Sequence, residues 1–183
     1  ITASAITGIN GGVGWLATDV GRQIYFNSGY ATITARTSAT VAVATVTTAF
    51  TNANAIAAWQ LGSFSDTTGH PSCVTFFEQR LVFAGTTDQP QTIFFSKSGD
   101  YENMDENIGG TVADDDAMVY TIASNQVNAI RFMTATRTLI IGTAGGEFTV
   151  SGGGTDSAVT PTNILIKKQS NHGSANVDAL AVG

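Results

Sequence analysis

The stretch FFEQRLVFAG, Phe76 to Gly85, contains the feature on which the interpretation of this chain depends. Leu81 to Ala84 form an apolar run of the length of a buried strand, and a glycine follows it. Glu78, Gln79 and Arg80 stand directly before this run, at the entry of the predicted strand. An arginine there can hold a carboxylate or open backbone carbonyls with its planar fork of donors. We therefore predict a structural ion pair of Arg80 at the strand entry, with a role in architecture and none in catalysis.

A second segment repeats this pattern. Leu139 to Thr143 also runs from an apolar strand into Gly-Thr, as Leu81 to Thr86 does, and the two leucines are 139 − 81 = 58 residues apart. A further strand follows each segment, TIFFSKSGD in the first and GEFTVSGGG in the second. Antiparallel repeats of this size are typical of β-propeller blades with long loops, and a plain β-sandwich is the alternative.

The whole chain has the pattern of an all-β protein. Short runs rich in Val, Ile, Thr, Phe and Tyr are separated by Gly, Asn, Asp and Ser. Asn27 to Gly29 is predicted to be a hairpin turn between two of these strands. A turn-rich stretch begins at Trp59 and marks the predicted boundary. We expect a small β domain with a Gly-rich lead-in over 1–58, and antiparallel blades of a partial β-propeller over 59–183.

Composition excludes some classes of partner. Hydrophobic residues make up 43% of the 183-residue chain, enough for a buried core, and the net charge is −6. Eight Lys and Arg residues in all cannot supply the basic surface that grips nucleic acid. No apolar run approaches the roughly 18 residues of a membrane span. The chain starts at Ile1 without an initiator Met, and we expect it to be a piece of a longer protein.

The motifs of common enzymes and cofactor sites are missing from the sequence. GINGGVG, Gly8 to Gly14, lacks the context of a phosphate-binding loop and is interpreted as a flexible lead-in. Thr51 to Trp59 is the one candidate helical turn. His70 and Cys73 lie close in sequence, which alone does not support a nucleophilic pair. We predict no catalytic residue, no metal and no cofactor.

Acidic residues cluster in two segments. Asp114, Asp115 and Asp116 suit a hard cation by charge, but consecutive carboxylates point in different directions, so a solvated turn or a pair with an arginine is the preferred interpretation. The polar segment Ser96 to Gly110 is predicted to be a loop, although a glycosidase would need two such acids beside a sugar cleft. The phenylalanines of the neighbouring strands are predicted to lie in the core rather than on a sugar-stacking surface: they are Phe76, Phe77, Phe83, Phe94 and Phe95. The acids of the loop are Asp100, Glu102, Asp105 and Glu106.

An ordered series of motifs resembles the tail nozzle proteins of short-tailed bacteriophages, also labelled tail tubular protein B, tail hub or stabilisation protein. The resemblance covers most of the chain from about residue 19 onward, and FFEQRLVFAG lies inside its longest motif. The motifs are DVGRQIYFNSGYATIT, WQLGSFSDTTGHPSCVTFFEQRLVFAGTTDQPQTIFFSKSGDYENM, ADDDAMVYTIASNQVNAIRFM, TLIIGTAGGEFTVSGGG and TPTNILIKKQSNHGSANV. Family members are several times longer, which agrees with an internal fragment.

The resemblance implies a structural virion part in the phage tail, not an enzyme. Such proteins form a six-fold ring below the portal and its adaptor, and DNA is retained in and ejected through their channel. The fold implied is a β-propeller with inserted smaller β domains, so 1–58 would be a small β-barrel-like insertion. The implied partners are further copies of the chain in a hexamer, the tail adaptor protein and tail fibres, while DNA passes without specific binding. Asp114 to Asp116 would be a lumenal or loop acidic run.

Two other classes of function stay open at this point. A carbohydrate-binding or carbohydrate-cleaving β module of a phage tail would need exposed aromatic side chains beside paired acids, and the chain lacks the sialidase-type Asp box. An adhesin-like secreted β domain is the third class, and Cys73 neither favours nor excludes it.

Overall fold

The computed structural model describes residues 1–123, 128–177 and 179, and these residues confirm the all-β prediction. They contain no α-helix, and their twelve strands form three four-stranded antiparallel sheets. None of the three sheets closes on itself within the described residues. The finer assignments, a β-barrel-like insertion and a partial β-propeller, therefore stay predictions.

The chain divides into two compact units. The first comprises Ile1–Gly69 with Asn107–Thr111, and the second comprises His70–Glu106 with Val112–Gly183. Residues 59–69, which the sequence assigns to the second domain, belong to the first unit. The reason is a short strand, Gln60–Leu61, whose backbone pairs with a strand of the first sheet.

Sheet I belongs to the first unit and has the strand order β3-β2-β1-β4. Its strands are β1 Gln23–Phe26, β2 Gly29–Arg36, β3 Ala42–Thr48 and β4 Gln60–Leu61. Between β1 and β2, Asn27 and Ser28 both have a positive φ, 48° and 57°. Two such residues make the two-residue turn that matches the twist of a hairpin. The predicted hairpin turn is thus confirmed.

Two local predictions for the first unit are wrong. The GINGGVG segment is not a flexible lead-in, because Ile9 and Trp15 at its two ends are buried at 0% and 1% exposure in the core below sheet I. A 3-10 turn, Asn10–Gly12, joins them. Thr51 to Trp59 forms no helical turn. Its side chains up to Ala57 are exposed, so no apolar face offsets the cost of helix nucleation.

Sheets II and III form the second unit, and each is a meander in which consecutive strands pair. The order is β5-β6-β7-β8 in sheet II and β12-β11-β10-β9 in sheet III. The strands of sheet II are β5 Cys73–Phe77, β6 Arg80–Ala84, β7 Thr92–Phe95 and β8 Met118–Thr121. Those of sheet III are β9 Ile130–Ala135, β10 Leu139–Thr143, β11 Gly146–Ser151 and β12 Leu165–Ser170.

One hydrophobic core joins sheets II and III. Val82 and Ala84 of β6 lie in the same cluster as Leu139 and Ile141 of β10, and all four side chains are fully buried. The two segments that repeat in the sequence are therefore the second strands of two meanders that share a core. At roughly 25 cal/mol per Å² of buried apolar surface, such a core is the main stabilising term of the unit.

The predicted aromatic core is confirmed for most of its members. Phe77, Phe94 and Phe95 are buried, and Phe83 is half-buried. Phe76 differs, because 61% of its surface is exposed. Side chains alternate along a strand, so Phe76 points to the side of β5 opposite the shared core.

Candidate functional site in the loop around Arg80

The charged triplet of FFEQRLVFAG is a hairpin turn followed by the first residue of a strand. Glu78 and Gln79 have φ of 46° and 61°, and Phe77 pairs with Arg80 across the turn. A two-residue turn of this kind favours Asn and Gly, so the sequence carries no obvious signal for it. The turn exposes Glu78 and Gln79 and fixes Arg80 at the start of β6, where its side chain is buried.

The Arg80 guanidinium is enclosed by backbone carbonyl oxygens. Nη1 donates to the carbonyls of Ser96 and Asp116, both at 2.7 Å, and Nη2 donates to that of Asp114 at 2.6 Å. A longer contact of 3.4 Å joins Nη1 to the Asp115 carbonyl. The predicted ion pair is therefore corrected to a cap of carbonyl oxygens, because the loop turns its backbone toward the guanidinium.

Burial and charge act on Arg80 in opposite directions. Desolvation lowers the pKa of Arg80 below its ordinary value, and the negative charges of Asp115, Glu78, Asp116 and Asp114 partly offset that effect. An arginine pKa starts so high that the group stays charged at neutral pH. The carboxylates thus stabilise the buried cation through their field, while the backbone supplies the hydrogen bonds.

Asp116 is the buried member of the acidic run, and both of its carboxylate oxygens have partners. Oδ1 accepts a hydrogen bond from Lys97 Nζ at 3.0 Å, and Oδ2 accepts one from the backbone N–H of Ala113 at 2.8 Å. Lys97 Nζ also lies 3.3 Å from Asp115 Oδ2. Desolvation is the largest single influence on Lys97 and lowers its pKa, but hydrogen bonds and charge from Asp116 and Asp115 together outweigh it, so the pKa of Lys97 is raised.

Further hydrogen bonds attach the loop to sheet II. The Ser98 N–H donates to the Asp115 carbonyl at 2.9 Å, and the Leu81 N–H donates to Ser96 Oγ at 2.9 Å. The acidic run is therefore a folded strap across the end of β6 and β7, the segment 114–116, and not a mobile charged loop. Chemically the strap uses its polar groups on itself, because Arg80 and Lys97 occupy its inward-facing acceptors.

An open groove of about 860 Å³ lies beside the strap within the second unit. Glu78 Oε2 accepts a hydrogen bond from the Val159 N–H at 2.6 Å and so joins the β5–β6 turn to the segment before β12. Across the groove, Arg137 Nη2 lies 3.7 Å from Asp156 Oδ1, and both side chains are largely exposed. No aromatic side chain lines this groove.

The other acids and nucleophiles considered in the sequence do not assemble into a site. The described residues contain no group of three or more His, Cys, Asp and Glu side chains placed to hold a metal. Asp100 accepts a hydrogen bond from the Asn103 side chain within its own loop, and Cys73 packs against the core of the second unit. None of the four loop acids, from Asp100 to Glu106, lines the groove.

Sequence reasoning missed two parts of this arrangement. Lys97 was counted as a loop charge, although its position two residues past β7 places it next to the strap. In the first unit, Asp19 is fully buried and pairs with Arg22 at 3.0 Å. Asn10 Nδ2 also donates to Asp19 Oδ2 at 2.7 Å. The Asp-x-x-Arg spacing was the available signal for this pair.

The fold defines an all-β protein whose second unit consists of two paired antiparallel meanders. No protein-family model and no curated protein sequence matches this chain. Within the part of the chain that the structure describes, no helix has the length and apolar character needed to cross a bilayer.

Proposed function

We propose that this chain is a structural part of the tail of a short-tailed bacteriophage, in the nozzle ring below the portal and adaptor through which DNA is retained and ejected. The observation that carries the proposal is the pair of four-stranded meanders with the same strand connectivity and one shared core. Neighbouring blades of a propeller have this arrangement. It is the fold expected from the family that the motif series resembles.

The environment of Arg80 supports an architectural role. A guanidinium that is 3% exposed and bonded to the backbone of its own loop has little capacity left to bind a substrate. Its hydrogen bonds instead fix the segment 114–116 against sheet II. A tail component that must withstand the pressure of a packaged genome benefits from loops fixed in this way.

The charge of the chain supports a channel wall that does not retain DNA. Its net charge is −6, and the side chains of Asp114 and Asp115 are exposed while Arg80 and Lys97 face the strap. Such a surface repels phosphate and releases no counterions on contact with a duplex. We propose that Asp114 and Asp115 face the lumen.

The ring is tested with the complete protein that contains this chain. Light scattering and electron-microscopy class averages of the purified protein are expected to give a six-fold ring, and a stable monomer would overturn the proposal. The lumenal role has its own test in phage that carry Asp114→Asn with Asp115→Asn. We expect altered ejection kinetics with normal particle assembly, because Asp116 and its buried contacts stay intact.

A carbohydrate-binding or carbohydrate-cleaving module of a phage tail is the second candidate. The groove beside the strap favours it, since a volume of about 860 Å³ lies in the range of small-ligand sites and Glu78, Asp114, Asp115 and Asp156 line it. The missing aromatic platform weighs against it. Glycan-array binding and release of reducing sugar from host polysaccharide test this candidate, and we expect neither.

A further inference from the structure

The outer face of sheet II, the side opposite the shared core, is apolar and open over its first strand. Val74 and Phe76 of β5 are 60% and 61% exposed, and Leu81 of β6 is half-buried beside them. Phe76 pairs with Leu81 in the strand register, so the two side chains are neighbours on this face. A sheet covered on one side only normally turns polar residues outward. This face therefore has the composition of a contact surface.

The repeat identifies which kind of surface fits it. Leu81 is equivalent to Leu139, which is fully buried in sheet III. Leu139 lies in the core shared with sheet II, where Val82 and Ala84 of β6 belong to the same cluster. The outer face of sheet II is thus the counterpart of the face that sheet III already buries. Its matching partner is a face equivalent to the one that carries Val82 and Ala84.

That second face is present on the same chain. By the same equivalence, Val82 corresponds to Ile140 and Ala84 to Gly142, a β-branched residue followed by a small one in both cases. Ile140 and Gly142 lie on the outer face of sheet III, the side of β10 opposite Leu139. Thr134 of β9 stands beside Ile140 in register. Sheets II and III therefore leave open two faces that repeat the two halves of their own contact.

We propose that the outer face of sheet II binds the outer face of sheet III of a second copy of this chain, head to tail. The contact repeats between two copies the packing that joins sheets II and III within one. It is heterologous, which is the kind of interface that a ring of identical subunits requires. The inference deepens the proposed ring by naming a subunit interface, but it is argued from the repeat of the sheets and not from the phage assignment.

Two variants block opposite sides of this contact. Phe76→Asp places a charge on the outer face of sheet II, and Thr134→Arg places one on the outer face of sheet III. Val46→Asp is the matched control, because Val46 is 52% exposed on a strand of the first unit. Sedimentation velocity of the wild-type chain is expected to show association that increases with concentration. Each blocking variant should raise the dissociation constant by about tenfold or more, and the control should not.

Mixing separates head-to-tail contact from other geometries. Phe76→Asp keeps an intact face on sheet III, and Thr134→Arg keeps an intact face on sheet II, so an equimolar mixture is expected to form dimers although neither variant associates alone. A wild-type chain that stays monomeric at its highest soluble concentration overturns the proposal. So does a mixture that forms no dimers, because a symmetric contact between two sheet II faces gives that result.

Circular dichroism and thermal melting confirm that each variant is folded, and Val74→Lys replaces Phe76→Asp if the latter is not. The proposed function fails or stands separately. A six-fold ring that persists with Phe76→Asp in the complete protein would assign ring assembly to another surface and overturn only the interface named here.

Discussion

Arg80 donates a hydrogen bond to the backbone carbonyl of Asp116 at 2.7 Å, while the carboxylate of Asp116 binds Lys97. Two cations thus hold one residue by different groups. The guanidinium, with its fork of donors, collects carbonyl oxygens, and the ammonium group, a point charge, takes the carboxylate. This division explains why three consecutive aspartates are tolerated at the end of sheet II.

Replacing Arg80 by Ala is expected to lower the free energy of unfolding by about 3 kcal/mol, because the carbonyls of Ser96, Asp114 and Asp116 lose their donors in a buried place. Urea unfolding followed by fluorescence measures the loss. Arg137→Ala is the control, since its side chain is 89% exposed and its removal should leave stability unchanged. A loss below about 1 kcal/mol for Arg80→Ala would show that the carbonyls find water instead.

Asp116→Asn and Asp114→Asn should differ strongly. The first leaves Lys97 without the carboxylate that it binds, and we expect a loss of about 2 kcal/mol, less than for a fully buried pair because Lys97 is partly exposed. The second keeps the carbonyl that Arg80 uses and changes an exposed side chain, so stability should hardly change. Equal effects of the two substitutions would contradict the assignment. Thermal melting of both variants under one buffer condition decides the matter.

The contribution of Lys97 should disappear in alkali. Its pKa is raised above the ordinary 10.5, so the folded state binds the proton more tightly than the unfolded state. The stabilisation is complete below the ordinary pKa and is lost as pH rises through the folded value. The stability difference between wild type and Lys97→Met is therefore expected to be constant near neutral pH and to shrink above about pH 10.5.

The background for that comparison is Tyr120→Phe. Burial, with a smaller effect from Glu106, raises the pKa of Tyr120, and its ionisation in the unfolded chain also lowers stability in alkali. A difference that stays constant up to the alkaline limit would contradict the role given to Lys97.

Position 79 is expected to prefer glycine. Gln79 has a φ of 61°, where a side chain is disfavoured, so Gln79→Gly should raise the free energy of unfolding by about 0.5 kcal/mol after the entropy cost of glycine. Gln79→Val should lower it by about 1 to 2 kcal/mol, because a β-branched residue is strained at positive φ. Glu78 is kept in both variants for its bond to Val159. Chemical denaturation compares the pair, and the reverse order would rule out the turn geometry.

Calcium is expected to bind weakly or not at all at the acidic run. The Asp116 carboxylate already binds Lys97 and the Ala113 N–H, and Asp114 and Asp115 are neighbours whose side chains diverge. Titration calorimetry should give no saturable heat, and the melting temperature should not change with Ca²⁺. A saturable heat that Asp116→Asn abolishes would establish a metal site in place of the strap.

The alternation of residues predicted much of the fold. Val82 and Ala84 between turn residues indicated a buried strand, and the resemblance between Leu81 and Leu139 predicted two equivalent strands, which the two sheets contain. Phe76 shows the limit, since an aromatic residue in a strand reads as core whichever way it faces. The boundary near Trp59 also moved, because the pairing of Gln60 and Leu61 with β1 is a contact between segments far apart in sequence.

By itself the sequence determined the all-β class, the acidic surface and the importance of Arg80, because these follow from local pattern, composition and a charge next to an apolar run. Only the tertiary structure decided what Arg80 binds. Its acceptors, Asp114 and Asp116, lie 34 and 36 residues further along the chain, and they are backbone atoms that every residue type carries. Nothing in a side-chain pattern distinguishes such carbonyls, so their convergence on one guanidinium becomes visible when sheet II brings β6 and the strap together.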